Sequence, residues 1–446
     1  MSSLIVYIVG LLVIWGRYLD HAGNFTAFVC FFAVMLVTNL PKRAFSPLAL
    51  FYAYYGAWFI VAPMFAQRFD GMLDRPEYQL AIALAFTVFG LGVVAIKFGE
   101  RMGRAGHRTD YRGGVPGIFA LRGTLIILYV IATAMVVMIV QSSGGFSVWE
   151  ANPGDAFLNR SGSGVYVVLS HFSSVALAAL TGYYCVRKHS KVALCVFLAW
   201  LLVTSPVHGS KLQISLLAVV SMLPWVRNMK LLTVKTILLY VSFVMIFLLG
   251  LYFRNITWVS ADTMIPYALN YFNTLENLAI SVRDFDPSIL MTFFLPFVKF
   301  QTPFGLASPD MYFDMNHLLT DIYFPKSWAI RATEQWPVET DLYLNFMFVG
   351  GLPLVALYLG IIGFIHGRAI RNDSLGYWAA SILMTILMIS HLRGSLINWT
   401  DFYLYPYIAV IAYLFRRMSL RPIPHYVAST APDGGGDAAP AMERNV

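Results

Sequence analysis

Charge is what this chain has least of. Only 12% of its 446 residues are Asp, Glu, Lys or Arg, where soluble domains carry roughly 25%. With 58% hydrophobic residues and a mean hydropathy of +0.66, a soluble globular domain is excluded. Strict apolar–polar alternation is also missing, which excludes a transmembrane β-barrel. Cysteine is scarce. Cys30, Cys185 and Cys195 all fall inside apolar runs, and their spacing supports neither a disulfide framework nor a metal site. No H-E-x-x-H, phosphate-binding Gly-rich loop or nucleophile elbow occurs. No internal repeat is visible, which weighs against the repeat-built transporters.

What is present is a succession of apolar runs, most of them long enough to cross about 30 Å of hydrocarbon. The spans are expected at 4–16, 25–40, 47–66, 79–97, 120–141, 164–186, 191–205, 212–226, 235–253, 342–365, 374–391 and 402–416. The first run is followed by Arg17, Asp20 and His21 rather than by a small-residue cleavage site, so it reads as a span and not as a signal peptide. The fold class is therefore an all-α polytopic membrane protein of about 12 transmembrane helices. Residues 1–253 hold the first nine spans, 254–341 form one large loop, 342–416 hold the last three spans, and 417–446 make a small, polar tail expected to be disordered.

The formal charge of +8 is a matter of topology here and implies no nucleic acid. Cations gather in alternate loops: Lys42 and Arg43; Lys97, Arg101, Arg104, Arg108 and Arg112; Arg187, Lys188 and Lys191; Arg227, Lys230 and Lys235; Arg368 and Arg371; Arg416, Arg417 and Arg421. The positive-inside rule puts these loops and both termini in the cytoplasm. The long segment 254–341 then lies on the other side. Loops of that length usually have a task. Within it, residues 262–282 put Ile265, Leu269, Phe272, Leu275 and Ala279 on one helical face, as in an amphipathic helix on the membrane or the bundle. The run 288–300 is too short to span and reads as an interfacial or re-entrant piece.

Charged groups at the outer ends of spans are costly and mark candidate sites. They are Arg160 in "FLNRSGSG", His208 and Lys211 in "SPVHGSKLQISLL", Arg254 in "LYFRN", Glu339 and Asp341 in "EQWPVETDLYLNFMFVGG", and His391 and Arg393 in "SHLRGSLINWTD". Each has a plainer role open to it. Arg160 serves as a loop cation, Lys211 snorkels, Arg254 anchors at the interface, and either acid caps a helix N-terminus. Together they suggest a site for an anionic group, a phosphate above all, held by Arg and Lys with a carboxylate or histidine as general base. A D-x-D at Asp284 and Asp286 is a weak metal–phosphate motif.

The block "ETDLYLNFMFVGGLPLVALYLGIIGF" resembles the E-x-Y-x-N-F-G-x-x-G block found late in bacterial oligosaccharide repeat-unit polymerases of the Wzy type. "HGSKLQISLL", "SSGGFSVWEANPGDAFLNRSGSG" and "HLRGSLINW" resemble further patches of that family, scattered over roughly residues 140–415. The match departs at one place: Asp341 stands two residues before Tyr343 where the family has Glu, and Glu339 lies two residues further back.

The resemblance implies a GT-C-like glycosyltransferase of the bacterial inner membrane with its site facing the periplasm. Its donor and acceptor would be undecaprenyl-pyrophosphate-linked repeat units, polymerised with inversion into O-antigen, capsule or exopolysaccharide, with a chain-length regulator as a possible partner protein. On this reading Glu339 or His391 is the base, Arg254 and Arg393 stabilise the leaving pyrophosphate, and Arg160, Lys211, His208, Asp341, Tyr343 and Asn345 bind substrate. Trp258, Trp336 and Tyr343 are available to stack on sugars. No metal or other cofactor is expected, the cations taking that part. The alternatives are an O-antigen ligase of the same fold and a 12-helix lipid-linked glycan transporter.

Overall fold

The computed structural model describes residues 2–66, 69, 71–106, 118–151, 156, 164–208, 211–254, 264–270, 272, 274–304, 311–329 and 333–420. Among them the chain is helical throughout and forms no strand, only isolated bridges. The first half carries α1 (Ser2–Leu19), α2 (Phe25–Thr38), α3 (Pro47–Phe65), α4 (Pro76–Arg104), α5 (Ile118–Ser142), α6 (Gly164–Lys188), α7 (Val192–His208), α8 (Lys211–Ser221) and α9 (Val234–Arg254). Then come α10 (Thr274–Asp284), α11 (Met315–Tyr323), α12 (Val338–Asn345), α13 (Leu352–Asn372), α14 (Leu375–Leu392) and α15 (Asp401–Leu414).

Among the described residues, six helices are long and apolar enough to cross a membrane: α3, α4, α5, α6, α13 with the turn before it, and α14. The chain is thus an all-α membrane protein. Burial separates centre from periphery. The apolar windows of α4 and α14 are 83% buried, that of α5 only 28%. On α5, Phe119, Ile127 and Val130 stand exposed, as lipid-facing side chains must.

The central pair is α4 against α13, running parallel along a seam of small residues. A Cβ on Gly99 would strike the Gly360 carbonyl, and one on Gly363 the Ile96 carbonyl. Close backbone approach of this kind drives helix association where lipid removes the hydrophobic contrast.

The expected run 342–365 is not one helix. Met347 and Phe348 take left-handed backbone angles, φ 51 and 61, which is strained for residues with a Cβ. Phe348 N–H donates back to the Leu342 carbonyl at 2.8 Å and Met347 N–H to the Ser288 carbonyl at 2.9 Å, which holds the kink. The result is a separate short α12, and the spanning helix proper begins at Leu352. Every residue of α12 is buried.

The loop expectations need similar adjustment. The described residues of 262–282 fall mostly in two helices, Met264–Asn270 and α10. Leu275 and Ala279 are buried against the bundle as their face predicts, but Ile265 is 60% exposed. Residues 288–291 lace the end of α12 through backbone hydrogen bonds to Tyr343, Leu344 and Asn345, and a 3-10 helix follows at Leu295–Phe304.

Candidate functional site

Helix α12 starts at Pro337, which takes an extended conformation as its N-cap without any side-chain cap bond. Asp341 is therefore not the capping residue that its place near a helix start suggested. Its Oδ1 accepts from Asn345 Nδ2 at 2.7 Å and its Oδ2 from Leu396 N–H at 2.9 Å. Asn345 also donates to Thr292 Oγ1 at 2.8 Å and accepts from Thr292 N–H at 2.7 Å. The pair clamps α12 between residue 292 and the turn after α14. Burial pushes the Asp341 carboxyl up to about 6, against the pull of these donors.

Glu339, the second residue of the same helix, is differently placed. It is fully buried. Tyr55 Oη donates to its Oε1 at 2.7 Å, while Oε2 has no hydrogen-bond partner among the described residues. Burial pushes this carboxyl up to about 7, with the Tyr55 hydrogen bond opposing. Tyr55 packs on Phe89 at 5.2 Å between ring centroids, and Phe89 lies thirteen residues into α4, about 20 Å along it at 1.5 Å per residue. Glu339 is accordingly sunk into the bundle rather than standing at its lip.

The adjacent Tyr54 donates to the Leu392 carbonyl at 2.6 Å, and the Arg393 guanidinium lies 5.2 Å over the Trp58 ring. Tyr54, Tyr55 and Trp58 sit where α3 widens into a π-helical stretch, Gly56–Val61. Such bulges re-aim side chains and recur at functional sites. The middle of α3 thus holds Glu339 on one side and the Arg393 turn on the other.

Arg393 lines a cavity of about 270 Å³ whose other basic groups are Lys299 and His317, with Asp314, Gln335 and Asn398 among the polar ones. Lys299 Nζ lies 4.4 Å over the Phe313 ring, and His317 Nδ1 stands 2.8 Å from Asp314 Oδ1. Asn316 ties the cavity wall together, donating to the Arg393 carbonyl at 3.2 Å and accepting from Trp336 N–H at 3.0 Å.

His391 is buried at the end of α14. Its Nε2 donates to Asp401, 3.0 Å from each carboxylate oxygen. Its Nδ1 faces both the Leu387 carbonyl at 2.9 Å and the Tyr358 hydroxyl at 3.1 Å. With both nitrogens engaged by protein, His391 is a poorer base for an incoming hydroxyl than Glu339, and a better strut for the 391–401 turn.

Of the residues singled out in the sequence, Glu339, Asp341, Asn345, Tyr343, His391 and Arg393 come together around α12. Tyr343 is buried and donates to the Phe285 carbonyl at 3.2 Å, and Trp336 is fully buried against Tyr323. Neither ring is offered for stacking on a sugar. His208 belongs elsewhere: its Nε2 meets Thr204 Oγ1 at 3.1 Å and its ring packs on Trp200. Asp284 of the D-x-D is taken up by Arg283 and Tyr323. Arg160 and Trp258 lie outside the described residues. Lys211 and Arg254 occupy the first turn of α8 and the last of α9, with their side chains outside the described part.

Sequence reasoning missed Tyr55, Lys299, His317 and Asp401. Asp401 closes the quoted stretch "SHLRGSLINWTD", and a His and an Asp on either side of a short turn are a legible signal. Tyr55 had none, since it sits in an ordinary aromatic run.

Fold and site define a class: a helical membrane protein with a buried carboxyl raised to about 7 and a separate cavity lined by Arg393 and Lys299. No protein-family model, curated protein or solved structure matches the chain.

Proposed function

We propose that this protein is a membrane glycosyltransferase that polymerises undecaprenyl-pyrophosphate-linked repeat units at the periplasmic face of a bacterial inner membrane. In this reading all twelve expected runs cross the bilayer, in a GT-C-like arrangement with both termini cytoplasmic. The observation that carries the proposal is Glu339. It is a carboxyl raised to about 7 with one oxygen unengaged among the described residues, and Tyr54 and Tyr55 tether it to the Arg393 turn. A base poised near the working pH is what proton transfer from a sugar hydroxyl requires.

Glu339 takes the proton of the acceptor hydroxyl, whose oxygen attacks the anomeric carbon of the donor from the face opposite its pyrophosphate. The bond from that carbon to the pyrophosphate oxygen breaks, and its electron pair leaves on undecaprenyl pyrophosphate. A glycosidic bond forms with inversion, and Glu339 returns its proton to water. Arg393 and Lys299 face the charge that grows on the leaving group, where prearranged cations act most strongly, and His317 lines the same cavity. Asp341 and Asn345 keep α12 in register, and His391 with Asp401 shapes the turn that presents Arg393.

The test is the glycan chain-length pattern of cells carrying Arg393→Ala. The proposal expects the protein in the membrane at wild-type level, single-repeat products retained and long chains lost. A wild-type ladder from this variant sinks it.

A further inference from the structure

A second charged cavity lies at the other end of the bundle. Tyr54 and Tyr55 mark one end of the first α-helical part of α3 and Ser46 caps the other. The second cavity opens beside Ser46 and has a volume of about 720 Å³. Lys42, Arg43, Lys97, Arg101, Arg104 and Lys230 line it. The one carboxylate in the lining is Glu100, which pairs with Arg104.

A charge-sorted topology explains cations at this end, but not their convergence. The loop before α3 is stitched to the loop after α8. Ala44 N–H donates to the Met229 carbonyl at 3.0 Å, and Leu231 N–H to the Lys42 carbonyl at 3.2 Å. Thr236 Oγ1 fixes the Lys230 carbonyl at 2.7 Å and Ser46 Oγ the Arg43 carbonyl at 2.9 Å. Three basic side chains are thereby carried on one braced backbone, facing those of α4. Arg43 lies over the Trp378 ring at 5.1 Å, and its Nη1 is buried with no hydrogen-bond partner among the described residues. Burial, with the like charge of Arg104 next, lowers the Arg43 pKa from its ordinary value, Glu100 opposing. Like charges held together around a buried, unanswered donor are stabilised by an anion with several acceptor oxygens.

We propose that this cavity binds a phosphate-bearing anion, either the headgroup of an anionic lipid or a soluble pyrophosphate compound. The site is separate from Glu339 and stands or falls independently of the glycosyltransferase reading.

The full chain is purified in detergent. Inorganic pyrophosphate binding is measured calorimetrically, and lipid retention is measured after exchange into nanodiscs of phosphatidylcholine doped with phosphatidylglycerol. Wild type binds at least one probe. Pyrophosphate alone identifies a soluble ligand, and selective phosphatidylglycerol retention identifies a lipid. Arg43→Gln with Arg104→Gln weakens that binding by about tenfold or more, as expected for lost charge-assisted hydrogen bonds, whereas Arg416→Gln outside the cavity leaves it unchanged. Should the double variant fail to fold, the exposed Lys42→Gln supplies the same comparison with a smaller loss. Absence of both binding signals, or equal binding by wild type and cavity variants, overturns the proposal.

Discussion

The hydroxyl of Tyr55 donates a 2.7 Å hydrogen bond to Oε1 of Glu339, a residue 284 positions away in the chain. Through this contact a carboxyl group is held in the bundle interior where nothing in the described protein neutralises it. Burial of a carboxylate without a cation costs stability, and retention of such a group points to use.

Glu339 and Asp341 should therefore respond differently to loss of charge. Glu339→Gln keeps the acceptor for Tyr55 and the packing, so the protein stays folded while transfer falls by about 10²–10⁴-fold, the usual worth of a general base. Asp341→Asn turns an acceptor of two N–H donors into a mixed group, leaving a buried donor unanswered at a cost of about 1–3 kcal/mol. Thermal unfolding and turnover measured on both variants separate the cases. Stability loss from Glu339→Gln, or turnover loss without stability loss from Asp341→Asn, reverses the assignment.

The pH dependence follows from the raised carboxyl of Glu339. Its ordinary value is 4.5 and its folded value about 7, so between these the folded state holds a proton the unfolded state has released. Stability from this group is full below about 4.5 and falls as pH rises to about 7, by about 3 kcal/mol at 1.36 kcal/mol per unit. Glu339→Gln should thus unfold at a higher temperature than wild type at pH 8, with the gap closing by pH 5. Activity moves the other way, rising through pH 7 as the base ionises. An unfolding temperature gap that does not change with pH contradicts the placement of this group.

Much of the architecture was legible because a membrane imposes one period and one length. Each of the twelve expected runs contains a helix. Alternate-loop basic residues also meet at one end: Arg187 reaches the Ser419 carbonyl, Arg227 that of Leu420, and Arg371 that of Ala105. What could not be read was the break at Met347 and Phe348. Apolar residues on both sides hide it, and the strain is held by Ser288, far away in sequence. The same limit applies to the site. Glu339 and Arg393 announced themselves as charges, but what separates Asp341 from Glu339 is the long-range donor each meets, Leu396 N–H for one and the Tyr55 hydroxyl for the other.

His391 offers a third test. Asp401→Asn removes the carboxylate that holds Nε2 and frees the turn that carries Arg393. Turnover should fall by about 10–100-fold, while Asp401→Glu restores part of it. A pH profile of turnover unchanged in shape marks His391 as a positioning residue; a lost limb of the profile makes it the base instead.

The α4–α13 seam gives a prediction about the fold alone. Gly363→Leu drives a side chain into the Ile96 carbonyl, and overpacking of this kind costs about 1–3 kcal/mol or more. Membrane-extracted protein should show a lowered unfolding temperature, while Gly123→Leu, which meets nothing within 4 Å, should not.

The most direct measurement is made with purified protein in liposomes supplied with an undecaprenyl-pyrophosphate-linked repeat unit. Lengthened glycan and released undecaprenyl pyrophosphate are both followed. The account predicts that wild type makes both in step and Glu339→Gln makes neither while still binding the substrate. A full ladder from Glu339→Gln, or wild type that moves the lipid across the bilayer without releasing any carrier, contradicts it.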